Sequence, residues 1–348
     1  MDTSVVKRQN NDLLDLLKFI LSFLIVAIHT HLFDPYLYPW LRLAVPLFFI
    51  VSSYLFFTKI NACTSNGEKL TALKNFVLRN FKLYAFWFVV LFPINIFTRG
   101  WFDGGFWSGI LTIIQSFFLA STFTASWFIM ALIIGVSIVF FASKKLNNTS
   151  LFIIGTVIFV LICIRSAYMF LFKDPEWVQS ILVGVVKYEN IMCEPMTSFP
   201  VGIFWIVCGK MFADGAFSRF KIKASSVVLA VSAGLLLTEW LILKHFSGNF
   251  NKDSYLMLAP CAIAIFNVLI QLKPINLKYS REMRKISIIV YASHGAVISC
   301  ISYLFKLAGW SAPSVVKFIL TAMICVGGAI LILYLEKKKY FTWLKYSH

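Results

Sequence analysis

The sequence predicts an all-α, polytopic integral membrane protein of about ten transmembrane helices, and three observations lead there. Hydrophobic residues make up 59% of the 348 and charged residues 14%, against about 45–50% and about 25% in a soluble domain. Apolar runs of roughly 20 residues, the length of helix that crosses a bilayer, recur from one end of the chain to the other. The net charge of +17 sits mostly in short segments between those runs, as in the cytoplasmic loops of membrane proteins. That placement makes the lipid bilayer, and not nucleic acid, the expected partner.

The runs fall at 13–33, 41–59, 82–98, 125–143, 151–172, 196–213, 224–246, 254–272, 286–307 and 315–335. The first has no small-residue cleavage site after it and is expected to stay as a span. An eleventh run, 106–120, is shorter. It begins after Gly104-Gly105 and ends in Ser121-Thr122. If it is re-entrant or interfacial and the N-terminus is inside, 21 of the 32 Lys and Arg lie on the inner side and 6 on the outer. If it crossed, every later loop would reverse. Both termini are therefore expected to be cytoplasmic, in a cell membrane. No internal repeat or long linker divides the chain, so residues 1–348 are expected to form one membrane-embedded domain. The seven cysteines show no CxxC or Cys/His spacing, and they read as small buried hydrophobes without a metal.

Ionisable groups inside a span are costly and mark function by default. The first span carries Asp15, Lys18, Ser22 and His29. Lys18 and His29 are eleven residues apart, close to three turns, so they share a face about 16 Å apart along the axis. Two readings fit: a polar stripe through the membrane, or two side chains snorkelling to opposite interfaces. The ninth span adds Ser287, Tyr291 and His294, whose spacing puts them on one face. The second contains Val45-Pro46-Leu47-Phe48-Phe49-Ile50-Val51-Ser52-Ser53, where Pro46 frees backbone groups that polar neighbours can use. Arg79 and Lys82 precede the third span, as anion-binding cations or as ordinary inner-side charge. Trp127 opens the fourth, as an interfacial belt residue or a platform for a sugar. His31 is expected on a different face from His29. Glu239 and Arg165, deep in their spans, are expected to pair with each other.

Taken in order, these features resemble the acyltransferase-3 family of membrane acyltransferases. The resemblance covers nearly the whole chain: Lys18 to His29, the VPLFF segment ending Ser52-Ser53, Arg79 and Lys82, Trp127-Phe128, and Ser287, Tyr291 and His294. It departs from the family pattern where Lys18 replaces the commoner Arg and Ser53 the usual Gly. The resemblance implies transfer of an acyl group, usually acetyl from cytoplasmic acetyl-CoA, to a hydroxyl of a carbohydrate or cell-surface glycan. Histidine suits the chemistry, because deprotonating an alcohol needs a base that is neutral near pH 7. His29 is the expected general base, with Lys18 and His294 also in the catalytic set. Lys18, Arg79 and Lys82 are expected to bind the donor; Ser52, Trp127, Ser287 and Tyr291 are expected to contact the acceptor. A transporter or flippase without catalysis is the rival reading. It would use a similar stripe, but it commonly shows paired inverted repeats, which are not evident here.

Overall fold

A computed structural model describes residues 3–32, 37–172, 176–247 and 253–348. The chain is helical throughout, with no strand among the described residues. The described residues form thirteen α-helices in order: α1 (Thr3–His29), α2 (Tyr38–Leu41), α3 (Ala44–Asn61), α4 (Asn66–Arg99), α5 (Phe106–Leu119), α6 (Trp127–Ala142), α7 (Asn148–Ser166), α8 (Glu176–Met192), α9 (Pro200–Ala213), α10 (Ile222–Ser247), α11 (Leu258–Gln271), α12 (Ser280–Leu307) and α13 (Ser314–Leu335).

A helix stands at each of the ten expected positions, but only some have spanning dimensions. Among the described residues, six segments are long and apolar enough to cross a membrane, or seven if the bent pair around α9 counts as one span. Helices α6 and α11, with 16 and 14 residues, fall short of the length needed. Helix α1 is long enough but carries Asp12, Asp15 and Lys18 in its described first half. Helix α5 has 14 residues, about 21 Å, against a hydrocarbon core of roughly 30 Å. It exposes Phe106, Trp107, Leu111, Ile114 and Phe118, and Gln115 donates to the carbonyls of Asn190 and Ile191 at the end of α8.

Local chemistry explains the ends that matter. Ser65, the N-cap, accepts from the Glu68 N–H, and Glu68 accepts in return from the Thr64 N–H at 2.9 Å, a variant of the capping box displaced by one residue that starts α4. The other critical end is that of α1. His31 N–H bonds to the Ile28 carbonyl and Leu32 N–H to that of Ala27, with His31 left-handed at φ 54°. This is a Schellman stop, which usually employs glycine. It ends the helix directly after His29.

Packing places α1 beside α12, running in the same direction. Asp12 accepts from Ser280 Oγ at 2.7 Å and from the Leu277 N–H, Asp15 faces Arg284, and His29 faces His294. Helices α3 and α9 meet at Ser53 and Gly209, where a Cβ on the glycine would overlap Ser53 Oγ and backbone of α3. Small residues at the contact allow this approach. Ser53, in the place expected for Gly, fits because its hydroxyl bonds back to the Phe49 carbonyl at 2.7 Å.

A candidate active site at the end of α1 and the middle of α12

The last turn of α1 opens on a cavity of about 340 Å³, within the range of small-molecule sites. His29, His31, Arg42, Trp127, Asp253 and Tyr291 are among its lining residues. The imidazole of His29 is exposed to this space. Its ring lies 5.1 Å from that of His294, which is fully buried. His294 Nδ1 is 2.6 Å from the Tyr291 carbonyl. A carbonyl only accepts, so Nδ1 carries the proton. Nε2 is then a lone pair, and it is buried without a hydrogen-bond partner.

The turn before α6 shapes the other wall. Ser126 Oγ accepts from the N–H groups of Thr122 and Phe123, and Tyr84 OH meets Thr122 Oγ1 at 2.9 Å. This fixes Ala125 at φ 63°, and Tyr291 donates its hydroxyl hydrogen to the Ala125 carbonyl. Gly295, next after His294, leaves no room for a side chain, since a Cβ there would overlap Thr124. Trp127 is thereby turned to the cavity, with Phe49 6.2 Å behind it. Across from it, Arg42 pairs with Asp253 and stacks 4.8 Å over the Tyr38 ring. Its Nε is buried and unpartnered.

The other end of the α1 face is cationic. Lys18 is half-buried and lies within electrostatic range of Asp15, Arg79 and Arg284. Asp15 is 4% exposed. The cavity lining on α1 reaches only Ile25, Ile28, His29 and the turn beyond, so the Lys18 cluster is a separate feature.

The profile of the acyltransferase domain family matches residues 11–334, nearly the whole chain. The chain belongs to the acyltransferase-3 family. Membership carries acyl transfer in general. Two curated relatives, both described as amino-acid racemases of Enterococcus faecalis, are 25% and 23% identical over 77% and 93% of this chain. The chain spans 37% and 46% of their lengths, under half in each case. No solved structure matches it significantly.

Against the acyltransferase-3 pattern, the structure brings together His29, His294, Tyr291 and Trp127 at one end and Lys18 with Arg79 at the other. Three expected residues lie elsewhere. Lys82 is exposed, its Nζ 5.7 Å from the centre of the Tyr346 ring. Ser287 is buried and donates to its own helix at the Arg284 carbonyl, 2.8 Å away. Ser52 is half-buried on α3, outside the cavity lining. Two expectations are corrected. Arg165 pairs with Glu189 on α8 at 3.1 Å, whereas Glu239 accepts from Tyr168 OH and from the N–H groups of Leu256 and Met257 at 2.7 and 2.9 Å. His31 shares the His29 cavity, because the left-handed turn bends the chain back where a continued helix would have carried it away. Arg42, Asp253 and Arg284 were missed as site residues. Arg42 carried a signal, a cation at the edge of an apolar run; Arg284 was one of five cations in 273–285.

Proposed function

We propose that the chain moves an acyl group from acyl-CoA, acetyl-CoA in the simplest case, to a hydroxyl of a carbohydrate or glycan precursor held in the His29 cavity. The observation that carries this is the imidazole of His29, open to a cavity and backed by the unpartnered Nε2 of His294. A small turn of the His29 ring would bring one of its N–H groups to the free lone pair of His294 Nε2 and leave the other nitrogen as the base. The acceptor hydroxyl gives its proton to His29 as its oxygen attacks the thioester carbonyl. The tetrahedral intermediate then expels the CoA thiolate, which takes that proton from His29 and leaves as the free thiol. No acyl-enzyme is needed. Trp127 offers its face to a sugar ring, and Tyr291 holds the wall.

The cations around Lys18 receive the CoA phosphates, with that end facing the cytoplasm. In this arrangement the ten predicted helices cross a cell membrane, α6 and α11 together with the turns that flank them, both termini lie inside, and α5 lies at the interface. The pantetheine arm threads from the Lys18 end toward His29, about 16 Å along α1.

One finding favours a second reading. The curated relatives are described as amino-acid racemases, and the cavity presents both a cation, Arg42, and a carboxylate, Asp253. The two pair with each other in this structure; parted by a free amino acid, they would complement its carboxylate and ammonium, and the chain would carry that solute across the membrane without catalysis. Reconstituted vesicles separate the two. Release of free CoA thiol from acetyl-CoA, dependent on an added glycan acceptor, supports transfer. Uptake of labelled amino acid with no thiol release supports the second reading and refutes the first.

A further inference from the structure

The Lys18 end holds more than the sequence pattern assigns. Lys18, Arg79 and Arg284 converge there, and each pair is within electrostatic range. One buried carboxylate, Asp15, faces them, with Asp12 a turn away. Asp12 is already engaged by Ser280 and Leu277. On the far side of Arg284, Glu336 is taken up by Lys285 at 3.3 Å and by His348 at 3.4 Å. Among the described residues, three cations therefore share one carboxylate, Asp15, that no other group takes up. Like charges held this close repel, and the surplus positive charge suits an anionic ligand.

The contact between Asp15 and Arg284 is itself loose. Arg284 Nη1 is 3.5 Å from Asp15 Oδ2, beyond the roughly 2.7–2.9 Å of a charge-assisted hydrogen bond. The Arg284 side chain is 46% exposed, so its guanidinium is reachable. Lysine is a point charge, whereas arginine presents a planar fork that matches phosphate. At this cluster only Arg79 and Arg284 have that fork, and Lys82 lies over Tyr346 instead.

We propose that Arg284 binds a phosphate of the acyl donor, and that Asp15 is its resting counter-ion, displaced when the phosphate arrives. This rests on the acyl-CoA reading above. A phosphate bears more charge and more acceptor oxygens than the carboxylate, and it engages the fork bidentately. An anionic lipid headgroup offers the same chemistry at a membrane surface, so the test must separate the two sources.

The test uses the full chain in nanodiscs of neutral phosphatidylcholine. CoA affinity is read from protection against thermal unfolding. Arg284→Gln is expected to weaken CoA about tenfold or more, the worth of one charge-assisted hydrogen bond. Asp15→Asn is expected to tighten it, and Arg284→Lys to weaken it with an unchanged melting temperature. Pantetheine, which lacks phosphate, should bind all variants alike, and Lys144→Gln should match wild type. Unchanged CoA affinity in Arg284→Gln overturns this inference alone. So does parallel weakening in Arg284→Gln and Asp15→Asn, which marks a structural ion pair. Protection by discs containing phosphatidylglycerol, dependent on Arg284, with none from CoA, assigns the site to lipid and overturns the donor role. Wild type that fails to bind CoA in any disc overturns both this inference and the acyl-CoA reading.

Discussion

Replacing Gly202 by alanine tests how tightly the cavity wall is packed. A Cβ at Gly202 would stand 2.7 Å from Phe49 Cε1 and 2.9 Å from its Cζ. Ordinary contact begins near 3.4 Å, so the ring must retreat by about 0.7 Å, a shift of the size that overpacked cores resist. Phe49 is fully buried and has Phe128 4.4 Å and Trp127 6.2 Å from its ring centre. The retreat therefore presses on the residue that lines the cavity. Overpacking of this kind costs about 1–3 kcal/mol, and alanine returns about 0.5–1 kcal/mol through helix propensity. A net loss of about 1–2 kcal/mol is expected. Gly327 on α13 is the control, because nothing lies within 4 Å of a Cβ there. Gly327→Ala should gain the propensity term alone, about 0.5–1 kcal/mol. Thermal unfolding in detergent reads both. Opposite signs are expected, and adding Phe49→Leu to Gly202→Ala should recover part of the loss through pairwise coupling. If Gly202→Ala proves as stable as Gly327→Ala, the packing argument is wrong.

Two other outcomes follow from the hydrogen bonds. Glu239→Ala should cost about 2–4 kcal/mol, since it strands the N–H groups of Leu256 and Met257. Arg165→Ala should cost about 0–1 kcal/mol, because its pair with Glu189 is one-third exposed on the arginine side; equal losses in unfolding assays would point to a shared pair instead. Asp12 gives a pH signature. The Ser280 hydroxyl and then the Leu277 N–H hold its carboxyl below the ordinary value of 3.8. Its contribution is thus complete above 3.8 and is lost as pH falls through the lower folded value. Melting curves from pH 5 downward should show Asp12→Asn less sensitive than wild type in that window, and parallel curves would contradict the cap.

Much of this was legible in the sequence, for a physical reason. Lipid forces long apolar helices, so the positions of all but α2 and α8 could be read from hydropathy. The faces of α1 and α12 followed from helical geometry, which placed Lys18 with His29 and Tyr291 with His294. Partner choice was not legible. Arg42 and Asp253 are 211 residues apart in sequence, and Arg284 meets Asp15 only because α1 and α12 run side by side. Glu239 found backbone N–H groups at the start of α11, a donor set that no side-chain pattern announces. Ser287 lies on the expected face of its helix, yet its hydroxyl turned to its own backbone, as serines within helices often do. His31 depended on a left-handed residue that histidine adopts less readily than glycine.

The account stands on the imidazole of His29, and one comparison reaches it most directly. Wild type and His29→Gln, in the same vesicles with acetyl-CoA and a glycan acceptor, are followed for free thiol release and for CoA protection against unfolding. The account predicts that the variant loses transfer by about 10²-fold or more, the range of general-base catalysis, while CoA protection is unchanged. Transfer at the wild-type rate by His29→Gln would contradict it.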